Sequence, residues 1–368
     1  MKAAVVALDG PDLSPEEAAL LREYPPAGVI LFGRNIAGPL PLARLVGDLR
    51  EVLPPESVIM VDQEGGRVAR LRPPDWPEHP AAGRIGGLYA EAPNLATRLA
   101  WLTGALIGMD CADIGFDVVC APVLDLRGPH TTDAIGDRSY GADPDQVAAL
   151  AMALADGLIS AGMQPVGKHA PGHGSARVDS HQALPRIEAT TDLAPEIGVF
   201  AACRGLPWMM TAHVVYEAID PERPGTLSPA VLQGVIRDRI GFAGVLVSDD
   251  LAMGALSGLP ADLAGAAAAA DLACAAIAAG CDLALYCAGH LRTTRAVLAA
   301  VPDVGSAAIA RMARARGTAS NGRILLDRVA LARDRAALLA ATAAPGHGPA
   351  IGLATDRDPT AADQEALS

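Results

Sequence analysis

Met163-Gln164-Pro165-Val166-Gly167-Lys168-His169-Ala170-Pro171-Gly172-His173-Gly174-Ser175-Ala176-Arg177-Val178-Asp179-Ser180-His181 starts as a core strand and ends as a loop crowded with titratable side chains. Met163 to Val166 is a short apolar run. Beyond it, Pro171-Gly172 forbids a regular helix, so the histidines, Arg177 and Asp179 sit on a shaped loop. A loop holding such groups points to function more strongly than a charged helix face does. The same unit recurs along the chain. Ala3 to Leu8, Gly28 to Phe32, Val58 to Val61, Phe116 to Ala121, Trp208 to Ala212, Gly244 to Val247 and Asp282 to Tyr286 are also short apolar runs, which makes eight in all. Continuous apolar character suits parallel strands buried on both faces.

Helical patterns lie between the runs, at Pro15 to Glu23, Pro41 to Val52, Asn94 to Ile114, Asp145 to Ala161 and Pro229 to Ile240. Ser14 with Glu17 three residues on, and Ser228 before Pro229, are helix-start signals. Strand and helix alternating in this way predict an α/β fold, a single-domain (β/α)₈ TIM barrel over residues 1–342. From Ala343 onward Pro, Gly, Asp and Thr dominate, so residues 343–368 are expected to be a flexible tail. Polar motifs follow the runs: Gly33-Arg34-Asn35, Asp62-Gln63-Glu64-Gly65-Gly66-Arg67, Pro122-Val123-Leu124-Asp125, Lys168-His169, Thr211-Ala212-His213 and Ser248-Asp249-Asp250. Barrel enzymes place their chemistry at these C-terminal strand ends.

The totals narrow the function. A formal net charge of −13 argues against a nucleic-acid or acidic-membrane partner. The six cysteines form no Cys-x-x-Cys pair, and most lie in apolar runs, as expected of small buried side chains in a reducing compartment. The early apolar run stops at Asp9, and no cleavage-type segment follows it, so a first core strand is expected rather than a secretory signal. The Ala-rich stretch near Ala264 to Ala270 is flanked by Asp262 and Asp271, which disfavours a membrane span. A cytoplasmic protein is expected, monomeric and without a cofactor.

Several chemistries fit the opening loop. Asp179 could orient His181 and fix its ring tautomer, leaving His181 to move protons near neutral pH. His169 and His173, with Asp179-Ser180-His181, could instead hold a metal, although Pro171-Gly172 breaks the helix that a four-residue spacing would need. A solvated loop with accidental histidines is the bland alternative. Gly162 to Lys168 fits seven positions of a Walker A loop, but His169 stands where Ser or Thr must hold magnesium.

Lys168-His169-Ala170-Pro171-Gly172-His173-Gly174 followed by Asp179-Ser180-His181 resembles the signature of bacterial β-N-acetylglucosaminidases of glycoside hydrolase family 3, the NagZ type. Ala170 stands where that signature usually has an aromatic residue. Val245 to Met253, Asp62 to Arg70 and Ile135 to Tyr140 are similar to further family segments. The resemblance implies Asp249 as the attacking carboxylate and His181, paired with Asp179, as acid/base. It implies Asp62, Arg70, Arg138, Lys168, His169 and His213 as substrate-binding residues, with no metal. Strand alternation predicts that only one of Asp249 and Asp250 faces the pocket. Glu64 is an alternative second carboxylate for an ordinary two-carboxylate glycosidase. The implied activity is retaining removal of terminal β-linked N-acetylglucosamine from small carbohydrate or muropeptide substrates in peptidoglycan recycling. The alternatives are a phosphorylase of the same family, a metal-dependent barrel hydrolase using His169, His173 and His181, and a non-catalytic sugar-binding barrel. Cys287-Ala288-Gly289-His290 lacks the polar loop expected after the last strand, which leaves contacts from that side in doubt.

Overall fold

All eight apolar runs become strands that close on one another. The structure, a computed structural model, describes residues 1–180, 183–257 and 268–341. The tail expected over residues 343–368 lies outside them. The barrel strands are β1 (Lys2–Ala7), β2 (Pro26–Leu31), β3 (Val58–Val61), β4 (Val118–Val119), β5 (Gln164–Ala170), β6 (Trp208–Thr211), β7 (Val245–Asp250) and β8 (Leu283–Tyr286). Each pairs in parallel with its sequence neighbours, and β1 pairs with β8 to close the ring. Parallel neighbours need crossovers, and the intervening segments supply helices such as Pro15–Glu23, Pro39–Val52, Pro93–Ile114 and Pro144–Ser160. The first of these starts at the predicted capping box: Ser14 Oγ accepts from Glu17 N at 3.2 Å, while Glu17 Oε2 accepts from Ser14 N at 3.0 Å.

Alternating strand residues divide the core in two. Val5, Ile30, Met60, Val118, Val166, Trp208, Met210, Val247 and Leu285 fill the barrel interior. Their neighbours Val6, Val29, Ile59, Val119, Met209, Leu246 and Ala284 face the helix layer. Each fully buried Val, Leu or Ile is worth roughly 1.5–3 kcal/mol relative to exposure. Helix Ser306–Gly322 contributes Ala308, Met312 and Ala315 to the interior cluster, alongside Ala3 of β1. It therefore packs over the strand starts and leaves the C-terminal strand ends for the site.

Two elements differ from the sequence expectation. β5 extends through Lys168 and His169, which the apolar run alone places after the strand. Their backbone stays in the ladder because Leu124 N donates to Lys168 O at 2.7 Å and Ala212 N to Ala170 O at 2.8 Å. β7 also ends irregularly. Its pairing steps from Val247↔Leu283 to Asp250↔Leu285, so three residues on β7 span two on β8. This bulge overrides simple alternation at Asp249 and Asp250.

Candidate active site

The strand ends surround an open cleft. Ile30, Met210 and Leu285, the upper layer of the barrel interior, form part of its lining. Asp62, Arg138, Lys168, His169, His173, Asp249 and Asp250 supply polar groups.

A buried charge network forms one wall. After β3 the chain makes a small antiparallel pair, Gln63–Gly65 with Val68–Ala69. Gln63 staples this turn: its Oε1 accepts from Arg70 N at 2.8 Å and from Leu71 N at 3.0 Å. The turn brings Asp62, Glu64 and Arg70 together. Lys168 Nζ lies 2.7 Å from Asp62 Oδ1 and 2.7 Å from Glu64 Oε1. Arg138 donates two bonds of 2.8 Å to Glu64, a bidentate clamp, and Arg70 reaches Asp62 at 3.3 Å. Burial alone would raise both carboxyls. The charges of Lys168 and Arg70 outweigh it at Asp62, and those of Arg138 and Lys168 at Glu64, so both are held below the usual carboxylate range. Glu64 is thereby kept ionised and unfit to donate a proton.

A second set fixes His169. Asp125, fully buried, accepts from His169 Nδ1 at 2.7 Å and from the backbone N–H groups of His169 and His173 at 3.2 and 2.8 Å. A carboxylate there requires a proton on Nδ1, which turns Nε2 of His169 toward the cleft. Burial would raise Asp125, but His169 more than offsets it and the carboxyl is lowered.

Asp249 and Asp250 close the opposite wall, and both line the cleft, contrary to the alternation argument. The β7 bulge is the reason. Asp250 Oδ1 accepts from Ala252 N at 3.0 Å and Cys287 N at 2.9 Å, which joins the ends of β7 and β8. Asp249 N donates to Thr211 Oγ1 at 3.2 Å.

The remaining expected residues fall in different places. Arg70 stands behind Asp62 and His213 beneath β7, and neither lines the cleft. Both His213 nitrogens are engaged: Nε2 meets Asp250 O at 2.9 Å and Nδ1 meets Thr226 Oγ1 at 2.8 Å. His213 therefore braces the strand end that presents Asp249. Asp179 lies on the loop rim, where its carbonyl accepts from Ala183 N at 3.1 Å. His181 lies outside the described residues. Arg34, Asp125 and His173 also belong to the site; the sequence marked Arg34 and Asp125 only within strand-end motifs, and His173 only as a loop histidine and candidate metal ligand. Arg34 lines the cleft while donating to Leu8 O at 2.8 Å and Cys287 O at 2.7 Å, so it ties three strand ends together. Cys287 and Ala288 line the cleft as well, so the last loop contributes to it after all.

A (β/α)₈ barrel with carboxylates and buried cations gathered at its C-terminal strand ends is an arrangement that a glycoside hydrolase can use. The chain belongs to that class: residues 3–320 match the family described as glycosyl hydrolase family 3 N terminal domain. It is 40% identical over 324 residues to a β-hexosaminidase of Alkalilimnicola ehrlichii, covering 85% of this chain and 88% of that one. It is 38% identical over 320 residues to a Pseudomonas aeruginosa β-hexosaminidase, covering 84% and 89%. Among solved structures it resembles NagZ from Neisseria gonorrhoeae in complex with N-trifluoroacetyl-D-glucosamine, with a TM-score of 0.79 and 30% identity over 92% of this chain and 97% of that one. These relatives place it among the β-hexosaminidases.

Proposed function

We propose that this protein is a retaining exo-β-N-acetylglucosaminidase that releases terminal N-acetylglucosamine from peptidoglycan fragments in the cytoplasm. The observation that carries the reading is the cleft lined by Asp62, Arg138 and Lys168 on one side and Asp249 on the other, with Glu64 and Arg70 pairing the first three from behind. Asp62, Lys168 and His169 hold the sugar hydroxyls, while Arg138 and Arg70 fix the two carboxylates. Asp249 attacks the anomeric carbon as the bond to the leaving oxygen breaks, and that oxygen takes a proton from His181. Water then gives a proton to His181 and its oxygen to the anomeric carbon, which frees Asp249. Asp179 orients the imidazole throughout. The peptidoglycan fragment and the compartment follow from the resemblance to NagZ-type enzymes. No helix among the described residues is long and apolar enough to cross a membrane.

The test is incubation with 4-nitrophenyl N-acetyl-β-glucosaminide, followed by mass spectrometry of an intermediate trapped with a 5-fluoro analogue. The label should map to Asp249, and Asp249→Ala should abolish turnover in a folded protein. A label on Asp250 or Glu64 would overturn the assignment.

A further inference from the structure

His173 is the one described pocket-lining residue with buried side-chain nitrogens that find no hydrogen-bond partner. Both Nδ1 and Nε2 are unmet, and the residue is 3% exposed. Buried polar atoms are almost always paired, so two unmet nitrogens in a ligand cleft call for an explanation.

The backbone that carries the ring is over-determined. His173 N donates to Asp125 Oδ1 at 2.8 Å, and its carbonyl accepts from Ala176 N at 3.1 Å. On one side Tyr216 donates to Gly172 O at 2.7 Å. On the other, Thr131 Oγ1 donates to Gly174 O at 2.6 Å, and a Cβ on Gly174 would lie 2.0 Å from Leu126 O. Only glycine allows that approach. The imidazole stands edge-on to His169, with ring centroids 6.1 Å apart.

We propose that His173 is a further substrate-binding residue, whose imidazole hydrogen-bonds a hydroxyl or amide group of the sugar beside the hydroxyls held by Lys168 and His169. The inference rests on the glycosidase reading and deepens it. Burial, outweighing the attraction of Asp125, lowers the His173 pKa to about 4, so the ring is neutral near pH 7. A neutral imidazole offers one donor and one acceptor. Sugar hydroxyls and an acetamide also donate and accept, whereas a carboxylate or phosphate would call for two donors. The protein therefore carries its hydrogen-bonding deficit at His173 until the sugar fills the cleft.

Calorimetric titration with N-acetylglucosamine tests this, using wild type, His173→Phe and His173→Asn, with thermal unfolding of each ligand-free protein. Phe keeps a planar ring and removes both nitrogens. Its affinity should fall about tenfold to a hundredfold. Its ligand-free unfolding midpoint should hold or rise, since the unmet atoms are gone. Asn, with one donor and one acceptor, should recover part of the affinity. Affinity of His173→Phe within twofold of wild type overturns the inference, and so does a lowered midpoint, which marks a structural role. Should the Phe variant not fold, ¹⁵N-imidazole spectra of the wild type decide, with His173 assigned through His173→Asn. Its nitrogen shifts should move on saturation with N-acetylglucosamine, and unmoved shifts overturn the proposal. Wild-type protein that binds no N-acetylglucosamine overturns the glycosidase reading and this inference together. Wild-type binding with an indifferent His173→Phe overturns this inference alone.

Discussion

Arg138→Met should cost stability chiefly through the charge it strands. Arg138 is 4% exposed and Glu64 8%, and the guanidinium holds that carboxylate through two 2.8 Å bonds. Removing one partner of such a buried pair costs roughly 3–5 kcal/mol, because the survivor remains desolvated. Lys168, 2.7 Å from Glu64, retains part of the compensation, so about 3 kcal/mol is the expected loss at pH 8. The loss should depend on pH. The folded-state pKa of Glu64 is depressed in the wild type, so its contribution is present above the unfolded value and is lost as pH falls through the folded one. Without Arg138, burial is opposed by Lys168 alone, so the Glu64 carboxyl moves up, and its protonation as pH falls should relieve the strain. The gap between variant and wild type should therefore narrow from pH 8 to pH 5. Urea unfolding at both pH values measures it. Adding Glu64→Gln to Arg138→Met should recover most of the deficit, since the stranded charge is gone. A loss below about 1 kcal/mol, or a pH-independent gap with no recovery in the double variant, would refute this account of the network.

Asp125→Asn should raise KM about tenfold to a hundredfold, because a charge-assisted bond that fixes the His169 tautomer is lost; an unchanged KM would show that His169 orients itself. His181→Ala should severely slow cleavage of a natural disaccharide, by about 10² to 10⁴, and hurt a nitrophenyl glycoside much less. The nitrophenyl substrate should then give a burst, and azide should speed turnover and yield a glycosyl azide; equal losses on both substrates without a burst would mean that His181 only shapes the loop. Hydrolysis should survive EDTA, and activity lost to chelation and restored by zinc would favour a metal-dependent hydrolase.

The barrel was legible because its determinants are local. Each strand is a short apolar run buried on both faces, and each runs into a polar motif at one end, so order and polarity could be read without tertiary information. Asp62, Lys168 and His169 were legible as cleft residues for the same reason, since each sits at the end of a strand. What escaped depends on geometry that periodicity does not encode. The bulge that places both Asp249 and Asp250 in the cleft comes from the register between β7 and β8. The demotion of His213 from the cleft to a brace depends on Thr226 and the Asp250 carbonyl, which lie 13 and 37 residues away. Asp125 was visible as a strand-end carboxylate, but its hold on His169 crosses 44 residues of chain.

The site is built in two mechanical halves, and the division follows from what each half must do. The groups assigned to the sugar hydroxyls sit just after β3 and on β5 and are locked by buried ion pairs, so they can be placed before substrate arrives at little entropic cost on binding. The proposed proton donor would serve a leaving group that must enter and depart, which suits a loop position. The loop's first part is firmly tied down. Gly172 is held by Tyr216, Gly174 is packed against Leu126, and Ser175 bonds the buried Glu196, whose carboxyl burial raises to about 7. Asp179, by contrast, lies half-exposed beside exposed Arg177 and Val178. On the proposed reading, the chain thus passes from firmly held recognition groups to the half-exposed Asp179 within a few residues. His173 falls on the rigid side of that boundary, which is why a sugar-binding role suits it better than a share in moving the loop.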